Sequence, residues 1–391
     1  MISVYDKKEN CCGCTACKYI CPTHAIEMNP DNEGFLYPEI NQELCIDCGR
    51  CRKVCPFQNS INVDGKLNKP LVYAVKQKDF ETRMQSTSGG IYTSISNVVL
   101  DKSGSIYGVK FDENFKVIHS KAINNKERNK FRGSKYVQSD LGDVFNQIQN
   151  ELNSGQSVLF TGTGCQVAGL IKFLINTKTN IDRLITNDLI CHGAPSPLLW
   201  DDYLKFIQKN SKLKSYTFRD KERGWHGYNV KADFYDGKTK INTLDIKIYA
   251  NLFGSDLALR PSCYNCKFAN LDRKSDIMIG DFWGIEKTMP EIDDDKGISL
   301  VLVNTIKGKD VFDSIRSNVD IWESNTRDCL QPNLIGPTKK PQKREIFWQD
   351  YHNNGFEFIA KNYAGYNLKS IIKKNIRLIL KSVGLLKYLK R

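Results

Sequence analysis

The sequence predicts an α+β chain in two parts: a small cysteine-rich unit of short strands and turns, then a mixed-sheet α/β domain. Three observations carry this. Eight of the fourteen cysteines fall in the first 56 residues as two copies of C-x2-C-x2-C-x3-C-P. From Leu71 onward, apolar runs of strand length alternate with helical patterns. The 391 residues also exceed what one small metal-bound unit needs, which suggests two or three domains.

The first copy is Cys11, Cys14, Cys17, Cys21, Pro22 and the second is Cys45, Cys48, Cys51, Cys55, Pro56. This spacing is that of bacterial two-cluster ferredoxins, where three cysteines of one run and the last of the other hold each 4Fe-4S cube. It assigns Cys11, Cys14, Cys17 and Cys55 to one cube, and Cys45, Cys48, Cys51 and Cys21 to its twin. Soft thiolates match iron–sulfide cores, and each proline stops the helix after the last ligand. Structural zinc uses two CxxC pairs rather than four-cysteine runs closed by proline. Residues 1–60 therefore read as a ferredoxin domain, with strands at Ala25 to Met28 and Phe35 to Ile40 between the cysteine runs.

A polar linker, Asn59 to Pro70, precedes the second domain at residues 70–345. Strands are expected at Leu71 to Val75, Ser105 to Phe111, Val117 to Ile123, Val158 to Thr161, Leu184 to Ile190, Ile277 to Phe282 and Ser299 to Asn304. Helices are expected at Gly90 to Leu100, Val144 to Leu152, Val167 to Ile175 and after Pro197. Tyr228 to Ile246 reads as a hairpin around Asp236-Gly237. Alternation of this kind argues a mixed or mainly parallel sheet covered by helices. Residues 346–391 read as a helical, basic tail.

The net charge of +13 is uneven: residues 1–60 carry six Lys/Arg against eight Asp/Glu, whereas residues 369–391 carry eight and no acid. No nucleic-acid partner is expected, because no helix-turn-helix, zinc-finger or RNP pattern accompanies the charge. The N-terminus has no signal-peptide pattern and no run reaches 18 apolar residues, so the expected location is cytoplasmic. No GxSxG, P-loop or paired-carboxylate spacing supports hydrolysis or kinase chemistry.

Cys165 and Cys191 each follow a predicted strand. Were those strands parallel neighbours, both thiols would emerge at the carboxyl edge of the sheet, where open α/β sheets place ligands. Cys263-x2-Cys266 adds a pair in a loop. On spacing alone these four read equally as a third cluster, or as two buried cysteines with a metal-free CxxC. Cys12 and Cys329 have no evident partners and read as spare.

Five stretches in order carry a resemblance: Ser86 to Gly90 (STSGG), Thr161 to Gln166 (TGTGCQ), Cys191-His192-Gly193, Cys263-x2-Cys266 and Asp276 to Gly284 (DIMIGDFWG). The chain resembles the coenzyme F-420 hydrogenase/dehydrogenase beta-subunit family, over roughly Pro70 to Asn304, in its bacterial form with a ferredoxin domain in front. The resemblance implies a third 4Fe-4S cluster on Cys165, Cys191, Cys263 and Cys266, and an FAD. Gly164 departs from the family, where proline is frequent. For the flavin phosphates, Ser88, Gly89 and Gly90 before a helix, and Gly162, Thr163 and Gly164 after a strand, offer open backbone; plain glycine turns are the alternative. Arg132 to Tyr136 reads as a phosphate-facing or merely solvated basic loop. His192 and Asp281 are weak catalytic candidates, read equally as a cluster-side hydrogen-bonding group and as a ribityl or turn-capping partner.

The expected function is an iron–sulfur flavoprotein oxidoreductase. A donor such as reduced ferredoxin would supply electrons through 4Fe-4S clusters to FAD and on to a small-molecule acceptor. The resemblance extends that acceptor to a deazaflavin, or to a sugar or lipid-linked compound of polysaccharide biosynthesis. A non-catalytic electron-transfer subunit is the alternative reading, and a metal-stabilised binding protein a third. The tail repeats apolar residues at helical spacing among its basic ones. It is expected either to lie on an anionic membrane surface or to dock on protein.

Overall fold

The computed structural model describes residues 3–367; the basic repeat of residues 369–391 lies outside the described residues. Thirteen strands are described: β1 (Ile26–Pro30), β2 (Leu36–Ile40), β3 (Lys66–Gln77), β4 (Ser105–Phe111), β5 (Val117–Ala122), β6 (Val158–Thr163), β7 (Leu184–Leu189), β8 (Leu213–Asp220), β9 (Asn229–Phe234), β10 (Thr239–Ile241), β11 (Ile277–Asp281), β12 (Ser299–Thr305) and β13 (Val319–Ser324). β1 and β2 form an antiparallel ribbon between the two cysteine runs. The main sheet has eight strands in the order β13-β3-β12-β11-β7-β6-β4-β5, and β8, β9 and β10 make a separate three-stranded sheet.

At the centre of the main sheet, β4, β6, β7 and β11 run parallel, and β12 then returns antiparallel to β11. This is the mixed sheet that strand–helix alternation predicted. Thr163 and Leu189 are paired, so β6 and β7 end side by side. Both strands are buried on both faces, as parallel strands under helices must be.

Some boundaries differ from the sequence expectation. The polar linker is partly strand, because β3 starts at Lys66 and pairs across to Thr305. The hairpin stops at Ile241, and Leu244–Gly254 is a helix that buries Ile246, Ile248, Tyr249 and Leu252. Helix also crosses residue 345: the segment Arg344–Asn362, kinked at Gly355, buries Phe347, Trp348, Tyr351 and Ile359 in the core beneath the small sheet. β8 and β13 were not anticipated at all.

The ferredoxin unit is not a bead on a string. Val4, Ile20, Ile26, Val54, Phe57 and Ile61 share one core with Phe145, Val167, Leu170 and Ile171 of the main domain. Fully burying each such side chain stabilises by roughly 1.5–3 kcal/mol, so this seam is a large apolar contact. The Phe57 ring lies edge-on to Phe268 at 5.7 Å. Arg344 closes the seam from the far side through a buried ion pair with Glu33.

Candidate functional site: three groups of thiols

In the ferredoxin unit the runs interleave as the spacing required. One cavity is lined by Cys11, Cys14, Cys17 and Cys55. A second is lined by Cys21, Cys45, Cys48 and Cys51. Left-handed residues make the tight turns that aim the thiols inward: Gly13 and Thr15 in the first run, Asp47 and Gly49 in the second. The first group is enclosed, with Cys14 and Cys17 buried, while Cys48 of the second is exposed. Burial pushes the Cys17 thiol well up, and its neighbours Cys14, Cys11, Cys55 and Cys51 add to this. Cys51 belongs to the second group, so the two groups adjoin there.

The other four cysteines also converge. Thr163 caps the helix Gly164–Asn176 through a capping box with Gln166, which sets Cys165 in its first turn. Cys191 follows β7, one strand away. Cys263 and Cys266 come from the 3-10 turn Pro261–Asn265 and its end. Burial pushes the Cys191 thiol well up, and Cys263, Cys165 and Cys266 push it the same way. Burial likewise takes Cys263 up to about 12 and Cys266 up to about 11. Cys165 is drawn down to about 7, first by its contact with Cys12 and also by Thr163, whose hydroxyl lies 3.2 Å from its sulfur. The Ala194 N–H donates to Cys263 Sγ at 3.3 Å.

Arg273 orders this corner, and nothing in its sequence context announced it. Its guanidinium pairs with buried Asp188 at 2.7 Å, and donates to the carbonyls of Leu189 at 3.0 Å and of Phe268. It thereby ties the end of β7 to the loop after Cys266. Cys12 is a correction to the sequence reading: it is not spare, because its buried thiol lies against both Cys14 and Cys165. Cys329 is buried among Met278, Phe282 and Leu302, away from the other thiols.

A single tetrahedral ion with metal–sulfur bonds of about 2.3 Å draws its sulfurs to about 3.8 Å of one another. Among the described residues, the one set of His, Cys, Asp or Glu ligand atoms that all lie within 4.8 Å is His226, Glu286 and Asp293. The cysteine groups are wider than that. They suit a polynuclear cube better than zinc.

The glycine turns serve the fold. A Cβ on Gly89 would lie 2.2 Å from the Val75 carbonyl and 2.5 Å from Ser299 N, so this residue packs flat against the sheet. Gly90 has φ +89° and starts the helix Ile91–Leu100 with no side-chain cap. Ser88 Oγ donates to the Ile298 carbonyl at 2.7 Å. Gly162, Thr163 and Gly164 aim Cys165, and the capping box uses the Thr163 N–H and hydroxyl. In the basic loop, Ser134 N donates to Thr87 Oγ1 at 2.8 Å and Arg132 Nε to Thr93 Oγ1 at 3.1 Å, which sets the loop beside Ser86 to Gly90.

Asp281 ends β11 and accepts from Arg219 at 3.0 Å and from Trp225 Nε1 at 2.9 Å. His192 lies 2.5 Å from Asp256, and this hydrogen bond, opposed by burial, raises its pKa. Thr338 bonds the His192 carbonyl. Exposed His226 pairs with Asp293 at 2.7 Å. No described helix is long and apolar enough to cross a membrane.

Parts of this sequence are shared with known proteins. Residues 10–59 match the 4Fe-4S dicluster domain, and residues 155–328 match the family described as the C terminus of the coenzyme F420 hydrogenase/dehydrogenase beta subunit. Over 332 residues the sequence is 24% identical to one of the subunits of the F(420)H(2) dehydrogenase of Methanosarcina mazei, covering 80% of this chain and 84% of that one. Over 48 residues it is 42% identical to a component of the anaerobic dimethyl sulfoxide reductase of Haemophilus influenzae, which is 12% of this chain and 22% of that one. A polypeptide from the F420-reducing nickel–iron hydrogenase complex of Methanosarcina barkeri aligns at a TM-score of 0.46 with 16% identity, over 80% of this chain and 95% of that one. The chain is an iron–sulfur protein that carries a 4Fe-4S dicluster domain at residues 10–59 and, at residues 155–328, the C-terminal domain of the coenzyme F420 hydrogenase/dehydrogenase beta-subunit family.

Proposed function

We propose that the chain is an oxidoreductase with three 4Fe-4S clusters and an FAD, taking electrons from a ferredoxin-type donor to an organic acceptor. The two ferredoxin clusters are held as the spacing assigns them, and the third by Cys165, Cys191, Cys263 and Cys266. When bound, such cubes carry single electrons, and a flavin pairs them into a hydride equivalent.

One observation supports this above the rest: the three thiol groups stand in succession. The exposed second group adjoins the first through Cys51 and Cys17, and the first adjoins the third through Cys14, Cys12 and Cys165. An exposed thiol at one end gives a donor access, and the carboxyl edge of the sheet lies at the other. Burial holds the Cys191, Cys263 and Cys266 thiols against ionisation, and a bound cationic core would relieve them.

For FAD, the support lies at the start of the helix Ile91–Leu100, beside Ser88, Gly89 and Gly90. Its first turn has no side-chain cap, Arg132 flanks it, and the buried Tyr92 hydroxyl has no partner among the described residues. Gly162, Thr163 and Gly164 are the weaker half of the proposed flavin contact, because their backbone is largely engaged in presenting Cys165. His192 and Asp281 hold their neighbours in place at the same edge. A deazaflavin, a sugar or a lipid-linked compound remains the proposed acceptor class. The Methanosarcina mazei relative is named as a subunit, which favours as second reading an electron-transfer subunit whose partners are other redox subunits.

The test is anaerobic purification with iron, sulfide and flavin analysis. About twelve irons per chain are expected, four per cube. Cys165→Ser should reduce this to about eight while leaving the two ferredoxin signals in place. An unchanged iron count would remove the third site, and FMN alone or no flavin in any preparation would remove the FAD. Steady-state reduction of an added acceptor by the isolated chain separates the enzyme from the relay subunit.

A further inference from the structure

Arg260 is 1% exposed. Its guanidinium stays charged at any ordinary pH, and a buried charge persists only where it is paired or hydrogen-bonded. Arg83, Arg219, Arg273 and Arg344 meet this need with carboxylates, on Asp294, Asp281, Asp188 and Glu33 respectively, and Arg128 meets it with neutral oxygens of Thr93, Ser96, Asn97, Asn125 and Asn129, far from any thiol group. Arg260 has no ion pair with a carboxylate among the described residues. Instead Nε donates to the Cys11 carbonyl at 2.8 Å, Nη1 to Gln138 Oε1 at 3.0 Å, and Nη2 to the Leu36 carbonyl at 3.0 Å. Nη2 also lies 3.6 Å from Cys11 Sγ. The flat face rests 4.1 Å from the centre of the Tyr37 ring.

The groups able to answer its charge are thiolates, and they come from both sides. Cys11 belongs to the first ferredoxin group, Cys263 to the third group, and Cys12 lies between. The chain fixes this position, since Cys263 N bonds the Arg260 carbonyl and Arg260 N bonds the Ala194 carbonyl, each at 2.9 Å. Among the described residues the second ferredoxin group has no such buried cation: its lining includes Arg50, which is exposed.

We propose that Arg260 is an electrostatic bridge between two clusters, raising the reduction potential of the one held by Cys11, Cys14, Cys17 and Cys55 and of the one held by Cys165, Cys191, Cys263 and Cys266. The inference rests on the third-cluster reading above. A thiolate-bound cube gains one negative charge with each electron it accepts, and a fixed cation in a low-dielectric seam favours that reduced form. Reduction here adds one electron from an external reductant and requires no proton. The exposed cluster, lacking the bridge, stays lower in potential, so electrons entering there run inward towards the sheet edge.

The experiment is a redox titration of the full-length, anaerobically reconstituted protein, with dithionite and mediators, followed by electron paramagnetic resonance. Arg260→Gln removes the charge but can still donate a hydrogen bond. It should disfavour reduction of both bridged clusters at least tenfold, about 59 mV for one electron, and leave the cluster of Cys21, Cys45, Cys48 and Cys51 unmoved. Arg260→Lys keeps the charge while losing the forked bonds to Cys11 and Leu36, and should stay near the wild-type potentials. Full iron with unmoved potentials in Arg260→Gln overturns the bridge. So does an Arg260→Lys shift as large as that of Gln, which would mark a packing role. Should Arg260→Gln fail to load iron, Arg260→Met provides the neutral variant under the same criteria. Iron content separates the two readings: about eight irons in the wild type removes the third cluster and with it the bridge. About twelve with unmoved potentials removes the bridge alone.

Discussion

At the residue scale, single side chains here are placed by what burial demands of them. His119 is 6% exposed, stacks on Phe160 at 5.4 Å, and faces the Thr161 carbonyl through Nε2 at 3.2 Å, while Nδ1 has no partner among the described residues. Burial lowers its pKa to about 4 from an ordinary 6.5. The unfolded chain therefore takes up a proton first as pH falls through 6.5. Stability is lost between about pH 6.5 and 4 and is flat below, with a limit of about 3 kcal/mol. His119→Phe fills the same space without titrating. Anaerobic denaturant unfolding at pH 7, 6 and 5 should show the gap between variant and wild type widening in favour of the variant. A gap that stays constant across that range would mean that folding leaves the His119 pKa unshifted. Gly89 teaches the same lesson about residues. Open backbone is visible in sequence, but whether a ligand or the chain itself fills the opening is not.

At the element scale, the helix Arg344–Asn362 is a clamp between the small sheet and the ferredoxin unit. Its first residue reaches Glu33, between β1 and β2, and Arg344 also donates to the Leu259 carbonyl at 3.0 Å. Both side chains of the ion pair are buried, at 6% and 12% exposure. Removing one partner of such a pair strands the other charge, which costs roughly 3–5 kcal/mol. Glu33→Ala should therefore lower stability by that order in anaerobic unfolding and hasten proteolysis in the ferredoxin unit, although no cysteine is touched. Wild-type stability in the variant would show that Arg344 finds solvent or another partner. This helix runs across the boundary expected at residue 345, because the small sheet supplies the face that its aromatic residues cover.

At the scale of the whole molecule, charge is segregated. Residues 369–391 add eight positive charges at the end of a chain whose first 60 residues are slightly acidic. Near an anionic lipid surface each basic residue gains about 1 kcal/mol, less at physiological salt. We propose that this segment contacts such a surface. Full-length protein should co-sediment with anionic vesicles at low salt and release at high salt. A version ending at Asn367 should stay in solution with its iron and flavin content unchanged. Indifference of the full-length protein to the vesicles would reassign the segment to protein docking.

How much was legible follows the range of each interaction. The interleaved ligand sets of Cys11 to Cys55 are local, set by spacing within two short turns, and they read directly from the chain. So did the central strand β6, because a parallel strand buried on both faces leaves a continuous apolar run, as in Val158 to Phe160. β8 and β13 did not read: their exposed and half-buried positions alternate with polar residues, and each depends on a partner strand supplied by the fold. What the amino-acid order determined alone was the cysteine chemistry and the alternation that builds the sheet. Only the tertiary structure decided that β6 and β7 end together, that Cys12 joins two thiol groups, and that Arg260 lies between them without a carboxylate. These are contacts between segments distant in the chain, for which burial and charge compensation, not local spacing, select the partners.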